Sequence, residues 1–157
     1  MNLSKSISRS PLSSVAASSV VTSTLTVQTS RAGFVDLTAD VAEFVHDARA
    51  REGAVTLFIR HTSASLTIQE NADPSVLRDL MTVLDRFAPE DAGWSHDAEG
   101  PDDMPAHVKT MLTATSLQVP VLGGELALGT WQAIYLVEHR ARPHRREVLL
   151  QFMGSVG

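Results

Sequence analysis

Four of the six histidines stand at the expected ends of strands or in loops, beside carboxylates or hydroxyls. They are His61, His96, His107 and His139. Neutral imidazole binds transition metals, and its pKa near neutrality suits it to proton transfer. A single histidine in such a place is more often structural, but four of them favour a functional site. The other two, His46 and His144, are expected to be solvated.

Any metal site must be assembled by the fold, because no pair among these four histidines has a local ligand spacing such as His-x-x-x-His. His96 and Glu99 are close enough in one loop to share a site. His107 is expected on the inner edge of a helix, where it points at the core or at a cleft. Glu138-His139 ends an apolar strand, from which both side chains can reach a common pocket.

Trp131 begins the same apolar strand and has two interpretations. Burial statistics favour core packing for a tryptophan. Alternatively, its ring forms a flat wall for an aromatic ligand, which the neighbouring Gly129 would allow to approach closely.

Several other chemistries lack their sequence signatures. The chain has no cysteine, which excludes disulfides, thiolate metal ligands and a cysteine nucleophile. Ser63 and Ser65 are not set in a Gly-x-Ser-x-Gly elbow, and the chain has neither a P-loop nor a Gly-x-Gly-x-x-Gly motif. The histidines and carboxylates are therefore the main candidates for chemistry.

The elements that position these residues are mostly β-strands, as runs of valine, threonine and other apolar residues indicate. Strands are predicted from Val20 to Val27 and at 33–37, 54–60, 64–69, 116–121, 125–128, 131–137 and 147–152. They bracket helices without regular βαβ alternation, which predicts an α+β fold with largely antiparallel or mixed sheets.

Three helices are predicted between the strands. The first is capped by Thr38 and ends at Gly53, a residue that tolerates a left-handed cap. The second begins at Asp73-Pro74, and the third begins near Asp102. The residues expected to be buried are Val41, Phe44, Val45 and Ala48 in the first helix, Leu77, Leu80, Leu84 and Phe87 in the second, and Met104, Val108, Met111 and Leu112 in the third.

The length, composition and net charge of the chain favour one soluble, cytoplasmic domain. The chain has 157 residues, a net charge of −5 and no apolar run long enough to cross a bilayer. Residues 1–19 are rich in serine and poor in apolar side chains, which predicts a disordered extension ahead of a single domain at 20–157. The acidic balance disfavours a nucleic-acid partner.

Five segments in the same order resemble the YjbQ-like family, some of whose members carry the name secondary thiamine-phosphate synthase. They are residues 60–68, 70–74, 96 with 99–107, 128–132 and 138–140. The resemblance implies a β-sandwich of two sheets with flanking helices, assembled as a homotrimer. It also implies a shared site that contains His61, His96, His107 and Glu138-His139.

One function follows from the synthase name. A pyrimidine-methyl diphosphate would lose pyrophosphate, and the nitrogen of a thiazole phosphate would attack the resulting carbocation. The leaving group needs positive charge from arginine, lysine or a magnesium ion, and the pyrimidine needs a flat wall. The candidate substrate-binding residues are Arg60, Thr62, Ser63, Asn71, Lys109, Trp131, Gln132 and Arg140.

Two alternatives remain open. In a metal-dependent hydrolase, His61, His107 and His139 would hold zinc or a similar ion, which imidazoles suit better than magnesium. Its catalytic candidates are His96, Glu99 and Glu138, with either glutamate as the general base. In the last alternative, the protein is a non-catalytic trimeric module that binds a metal or a small molecule.

Overall fold

The computed structural model describes residues 7–157, and they form two antiparallel sheets with three helices. The elements are β1 (Ser19–Thr29), β2 (Gly33–Asp36), α1 (Thr38–Asp47), β3 (Ala50–Ile59), β4 (Ala64–Glu70), α2 (Pro74–Phe87), α3 (Asp103–Leu112), β5 (Ser116–Leu122), β6 (Glu125–Leu126), β7 (Gln132–Glu138) and β8 (His144–Val156). The predicted α+β class is confirmed.

The larger sheet has the strand order β1-β8-β3-β5-β6, and the smaller has the order β2-β7-β4. The core contains side chains of both sheets and of α1. Its most deeply buried members include Val41, Leu57, Leu66, Leu136, Leu150 and Phe152. In the small sheet, Ala64 pairs with Glu138 at one end and Glu70 pairs with Gln132 at the other. This register determines which functional candidates can meet.

The first helix ends earlier than the sequence predicted. It stops at Asp47, and Arg49 takes the left-handed conformation, with φ of 50°. Gly53 lies instead inside β3, opposite Gly154 of β8. A Cβ atom on Gly53 would overlap the backbone at Met153 and Gly154. This glycine is therefore needed for the close approach of two strands and not for a helix cap.

The second helix begins as predicted, because the Asp73 side chain accepts a hydrogen bond from the Ser75 amide at 2.8 Å and Pro74 follows the cap. Its predicted apolar stripe is only partly buried within a single chain, since Leu77, Leu80 and Leu84 are half-buried. None of its residues is fully buried, and Phe87 is 66% exposed. Little of the chain therefore covers this helix.

The third helix also buries a different face from the predicted one. Its buried residues are Asp103, Pro105, Ala106 and Lys109, whereas Met111 and Leu112 are exposed. Asp103 and Lys109 enter the interior because each has a partner of opposite charge, Arg140 and Asp85 respectively. Ion pairing, which hydropathy does not measure, reverses the orientation expected from apolar periodicity.

Trp131 is 65% exposed, so the prediction that it packs in the core is wrong within a single chain. None of the three helices in residues 7–157 has the length and apolar character that a membrane crossing requires. Residues 7–18 form neither helix nor strand, and residues 1–6 lie outside the described part of the chain. The predicted N-terminal extension therefore stays a prediction.

Candidate metal centre

His96, Asp103 and His107 form a compact group in which one ligand atom from each residue lies within 4.8 Å of the others. The His96 Nε2 atom is 2.7 Å from Asp103 Oδ2, and the His107 Nε2 atom is 3.5 Å from the same oxygen. Two imidazoles and a carboxylate are a donor set that suits zinc or iron(II). Within residues 7–157, this is the single group of three or more such ligands.

Local structure explains how the group is assembled. Asp103 is the first residue of α3, and His107 follows four residues later, so both side chains lie on one face of the helix. The preceding loop brings His96 to the same point, and its ring centroid lies 5.6 Å from that of His107. The carboxylate is nearly enclosed, whereas both imidazoles are partly open to solvent. One side of the group is therefore accessible.

A backbone contact determines the tautomer of His107. Its Nδ1 atom lies 3.0 Å from the Thr62 carbonyl oxygen, which can only accept, so Nδ1 carries the hydrogen. In the neutral ring, Nε2 then presents a lone pair toward the Asp103 carboxylate. Two electron-rich atoms facing each other repel unless a proton or a metal ion lies between them. The tautomer of His107 and the donor set are therefore compatible with a metal ion.

Arg140 holds the Asp103 carboxylate in place from behind. Its guanidinium pairs with Asp103 Oδ1 and also contacts Asp102 Oδ2 at 3.1 Å and the Glu99 carbonyl oxygen at 2.8 Å. Asp103 Oδ2 is thereby left to face the histidines. Burial opposes charge on Asp102, but hydrogen bonds from the Ala141 amide and Arg140 outweigh it and lower the pKa of Asp102.

Glu138 lies in a buried ion pair. Both of its oxygens accept hydrogen bonds from Arg146, at 2.7 and 2.6 Å. The Thr29 hydroxyl and the Arg140 amide add one bond each, which occupies all four acceptor positions. Burial raises the pKa of Glu138, but these bonds more than compensate and hold it below its usual value. A carboxylate so occupied has no free lone pair for a general base.

His139 is also buried and lies outside the ligand group. Its Nε2 atom is 2.8 Å from the Ser65 hydroxyl, and Nδ1 has no hydrogen-bond partner. Burial, with a smaller contribution from the nearby Lys109, lowers the pKa of His139 to about 4. The ring is therefore neutral near pH 7.

His61 accepts a hydrogen bond from the Glu147 amide through Nε2, at 2.8 Å. The expected trio of His61, His107 and His139 therefore differs from the observed group, which keeps His107 and adds His96 and Asp103. Asp103 is absent from the predicted site because spacings between histidines do not include an aspartate. The Asp-x-x-x-His spacing of 103 and 107 carries the missed signal.

The remaining substrate-binding candidates fall into three places. Lys109 and Arg140 are committed to carboxylates, Lys109 to Asp85 at 2.6 Å. Arg60, Thr62 and Ser63 line an open cavity beside His61.

Asn71, Trp131 and Gln132 lie at the far end of the small sheet. Six residues of extended strand separate that end from Glu138, a span of about 20 Å. Arg140, which pairs with Asp103 of the ligand group, follows Glu138 by two residues, so a single chain keeps Trp131 at the opposite end of the strand from that group.

These features define an α+β protein of two antiparallel sheets, with a histidine–aspartate group suited to metal binding beside the smaller sheet. Residues 23–155 match the model of the family described as "UPF0047 protein YjbQ-like", and the chain belongs to that family.

Among similar proteins, UPF0047 protein sll1880 of Synechocystis is 45% identical over 84% of this chain and 90% of its own length. UPF0047 protein YjbQ of Escherichia coli is 39% identical over 84% of this chain and 96% of its own. The crystal structure of an uncharacterised YjbQ/UPF0047 protein from Clostridium acetobutylicum is 36% identical, with a TM-score of 0.77, and the match covers 82% of this chain and 98% of that one.

Proposed function

We propose that this protein is a metal-dependent enzyme of hydrolytic or related transfer chemistry, with His96, Asp103 and His107 as its metal ligands. The observation that carries the proposal is the convergence of these three ligand atoms within 4.8 Å, with the His107 tautomer determined by Thr62. A divalent ion held there would act as a Lewis acid on a water molecule or a substrate oxygen. Three protein ligands with an accessible side are the pattern of catalytic, as opposed to structural, zinc sites.

Glu99 is the best candidate for the general base. Its side chain is exposed in the loop that carries His96, and its backbone carbonyl is held by Arg140 at 2.8 Å. Glu99 thus lies in the same loop as the ligand His96, and Arg140 anchors this segment of the loop. Glu138, the other candidate, is fully occupied by Arg146, Thr29 and Arg140.

A second candidate is the secondary thiamine-phosphate synthase reaction. Its support is the exposed ring of Trp131, which borders an open cavity also lined by Ile68, Glu70 and Gln132. A pyrimidine could stack on this ring. Lys109 and Arg140 are already paired with carboxylates, so the charge for the leaving diphosphate would have to come from elsewhere. This reaction also requires a second chain to bring Trp131 near the ligand group.

Cobalt(II) titration of chelator-treated protein, followed by visible absorption, tests the proposal. We expect one ion per chain in the wild type and a loss of affinity of at least about tenfold in His96→Ala and His107→Ala. His46→Ala, an equally small change at an exposed histidine outside the group, should bind cobalt like the wild type.

Unchanged cobalt binding in both site variants would contradict the ligand assignment. If the metal binds and Glu99→Gln slows hydrolysis of ester or phosphoester substrates without weakening cobalt binding, the hydrolytic function is supported. Metal binding without hydrolysis, together with formation of thiamine phosphate from its two halves, would favour the synthase. Metal binding with neither activity would favour the non-catalytic module.

A further inference from the structure

The turn between β3 and β4 borders a cavity of about 460 Å³ whose lining contains positive charge and hydrogen-bond donors but no carboxylate-bearing residue. The lining residues are Phe58, Ile59, Arg60, His61, Thr62, Ser63, Thr115 and Arg146. The whole chain carries a net charge of −5, so the positive charge of this cavity is opposite in sign to that of the chain. A cavity of this kind attracts an anion.

The donors around the cavity are largely free. The Thr62 and Ser63 hydroxyls make no hydrogen bond to residues 7–157, and both side chains are at least partly exposed. His61 accepts the Glu147 amide at Nε2, so its neutral ring carries a hydrogen on Nδ1 and offers it as a donor. These three groups can donate to the oxygens of one oxyanion without any change of protonation.

Two arginines supply the charge in different ways. Arg146 is 3% exposed and is held by Glu138, so it forms a rigid wall. Arg60 is held less firmly, because its side chain is 60% exposed and its closest carboxylate oxygen, on Glu147, is 3.6 Å away. Glu147 is itself paired with Arg145 at 2.6 Å. Three arginines therefore face two carboxylates here, and Arg60 carries the excess positive charge.

The cavity and the candidate metal centre are linked through the backbone of Thr62. Thr62, one of its lining residues, accepts a hydrogen bond from His107 Nδ1 through its carbonyl oxygen at 3.0 Å. The Thr110 hydroxyl on α3 lies 3.2 Å from the same oxygen, but its shorter hydrogen bond, at 2.7 Å, goes to the His107 carbonyl oxygen. An anion held in the cavity would thus be separated from the metal-ligating His107 by the peptide group of Thr62.

We propose that Arg60, His61, Thr62, Ser63 and Arg146 form an oxyanion subsite that binds the phosphate of a small phosphorylated substrate. The placement of the reacting bond at His96, Asp103 and His107 rests on the function proposed above, whereas phosphate binding itself does not. Arginine together with hydroxyl and imidazole N–H donors is a common way to hold a phosphate.

Calorimetric titration of metal-free protein with inorganic phosphate tests the subsite. We expect wild-type protein to bind one phosphate per chain, Arg60→Gln to weaken binding about tenfold, and Ser63→Ala to weaken it about threefold. Arg142→Gln removes the same charge from an exposed arginine outside the cavity and should leave the affinity unchanged. Thermal melts of all four proteins establish that the variants are folded.

Absence of phosphate binding to folded wild-type protein at millimolar concentration would overturn the subsite, as would equal losses in Arg60→Gln and Arg142→Gln. A parallel cobalt titration without phosphate keeps the two proposals apart. Cobalt binding without phosphate binding removes only the subsite, and phosphate binding without cobalt binding removes only the metal centre.

Discussion

At the scale of single residues, burial determines which candidate groups remain available for catalysis or binding. Glu138 and His139 are adjacent in sequence and both are buried, yet their situations differ. Glu138 is charged and fully hydrogen-bonded, whereas His139 is neutral and has one ring nitrogen without a partner. Each contributes to stability in a way that depends on pH, and neither is placed to act on a substrate from solution.

The buried His139 makes stability fall on mild acidification. Its pKa is about 4 in the folded protein and close to 6.5 once the chain unfolds. Above pH 6.5 the ring is neutral in both states, so it contributes no pH dependence. Below that value the unfolded chain takes up a proton that the folded protein does not, which favours unfolding. We expect a loss of about 2 kcal/mol between pH 6.5 and 5 from this residue.

Urea denaturation of the wild type and of His139→Gln at several pH values measures this contribution. The variant can still reach the Ser65 hydroxyl but has no group that titrates in this range. Its stability should therefore depend less on pH between 6.5 and 5. The lowered pKa of His61 acts in the same direction in both proteins and cancels from the difference. Parallel curves for the two proteins would show that His139 is not buried in the neutral form.

At the scale of elements, two glycines allow the paired strands β3 and β8 to approach each other closely. Gly53 and Gly154 pair in the register of these strands, and a Cβ atom on Gly154 would overlap the Glu52 carbonyl oxygen and contact the Phe152 ring. The neighbours are backbone atoms and a core aromatic ring, which cannot move without disturbing the sheet. The strand pair that forms the centre of the large sheet therefore depends on both glycines.

Gly154→Ala should destabilise the protein by about 2 kcal/mol or more, because overpacking displaces backbone on both strands. For a domain of this length, such a loss lowers Tm by roughly 4–8 °C in a calorimetric melt. Gly129→Ala is the matched control, since its Cβ would meet only the flexible Gln132 side chain at 3.4 Å. A Tm for Gly154→Ala as high as that of the control would argue against the close approach of the two strands at this point.

At the scale of the whole molecule, one side of the chain exposes apolar side chains that water does not favour. A groove of about 300 Å³ runs between α2, α3 and the small sheet, lined by Phe34, Leu80, Val83, Leu84, Leu112 and Leu117 among others. Phe87 on α2 and Met111 on α3, the two helices that border the groove, are also exposed. Patches of this kind commonly mark contacts between subunits.

We propose that copies of this chain cover the groove in a homotrimer, the assembly that the family resemblance implies. Light scattering at micromolar concentration should give a mass near three times 16.9 kDa. Leu112→Lys, which places a charge at the edge of the groove, should lower that mass. Leu12→Lys, at an exposed leucine outside the elements, should not. A monomeric wild type would contradict the assembly.

Local signals in the sequence determined much of the fold. The strand runs, the Asp73-Pro74 helix start and the α+β class all follow from neighbouring residues, because turn chemistry and apolar periodicity act over a few positions. The four-residue spacing of Asp103 and His107, which places both on one helix face, can also be recognised from the local sequence. The expected positions of the four candidate histidines, at strand ends or in loops, also follow from neighbouring residues.

Only the tertiary structure decided which of these residues meet. Asp103 is held by Arg140, 37 positions away, and His107 by the carbonyl of Thr62, 45 positions away. Such contacts turn α3 so that its polar face is buried, and they place His96, not His61 or His139, beside His107. Side-chain burial and ion pairing depend on segments distant in sequence, so apolar periodicity alone does not determine them.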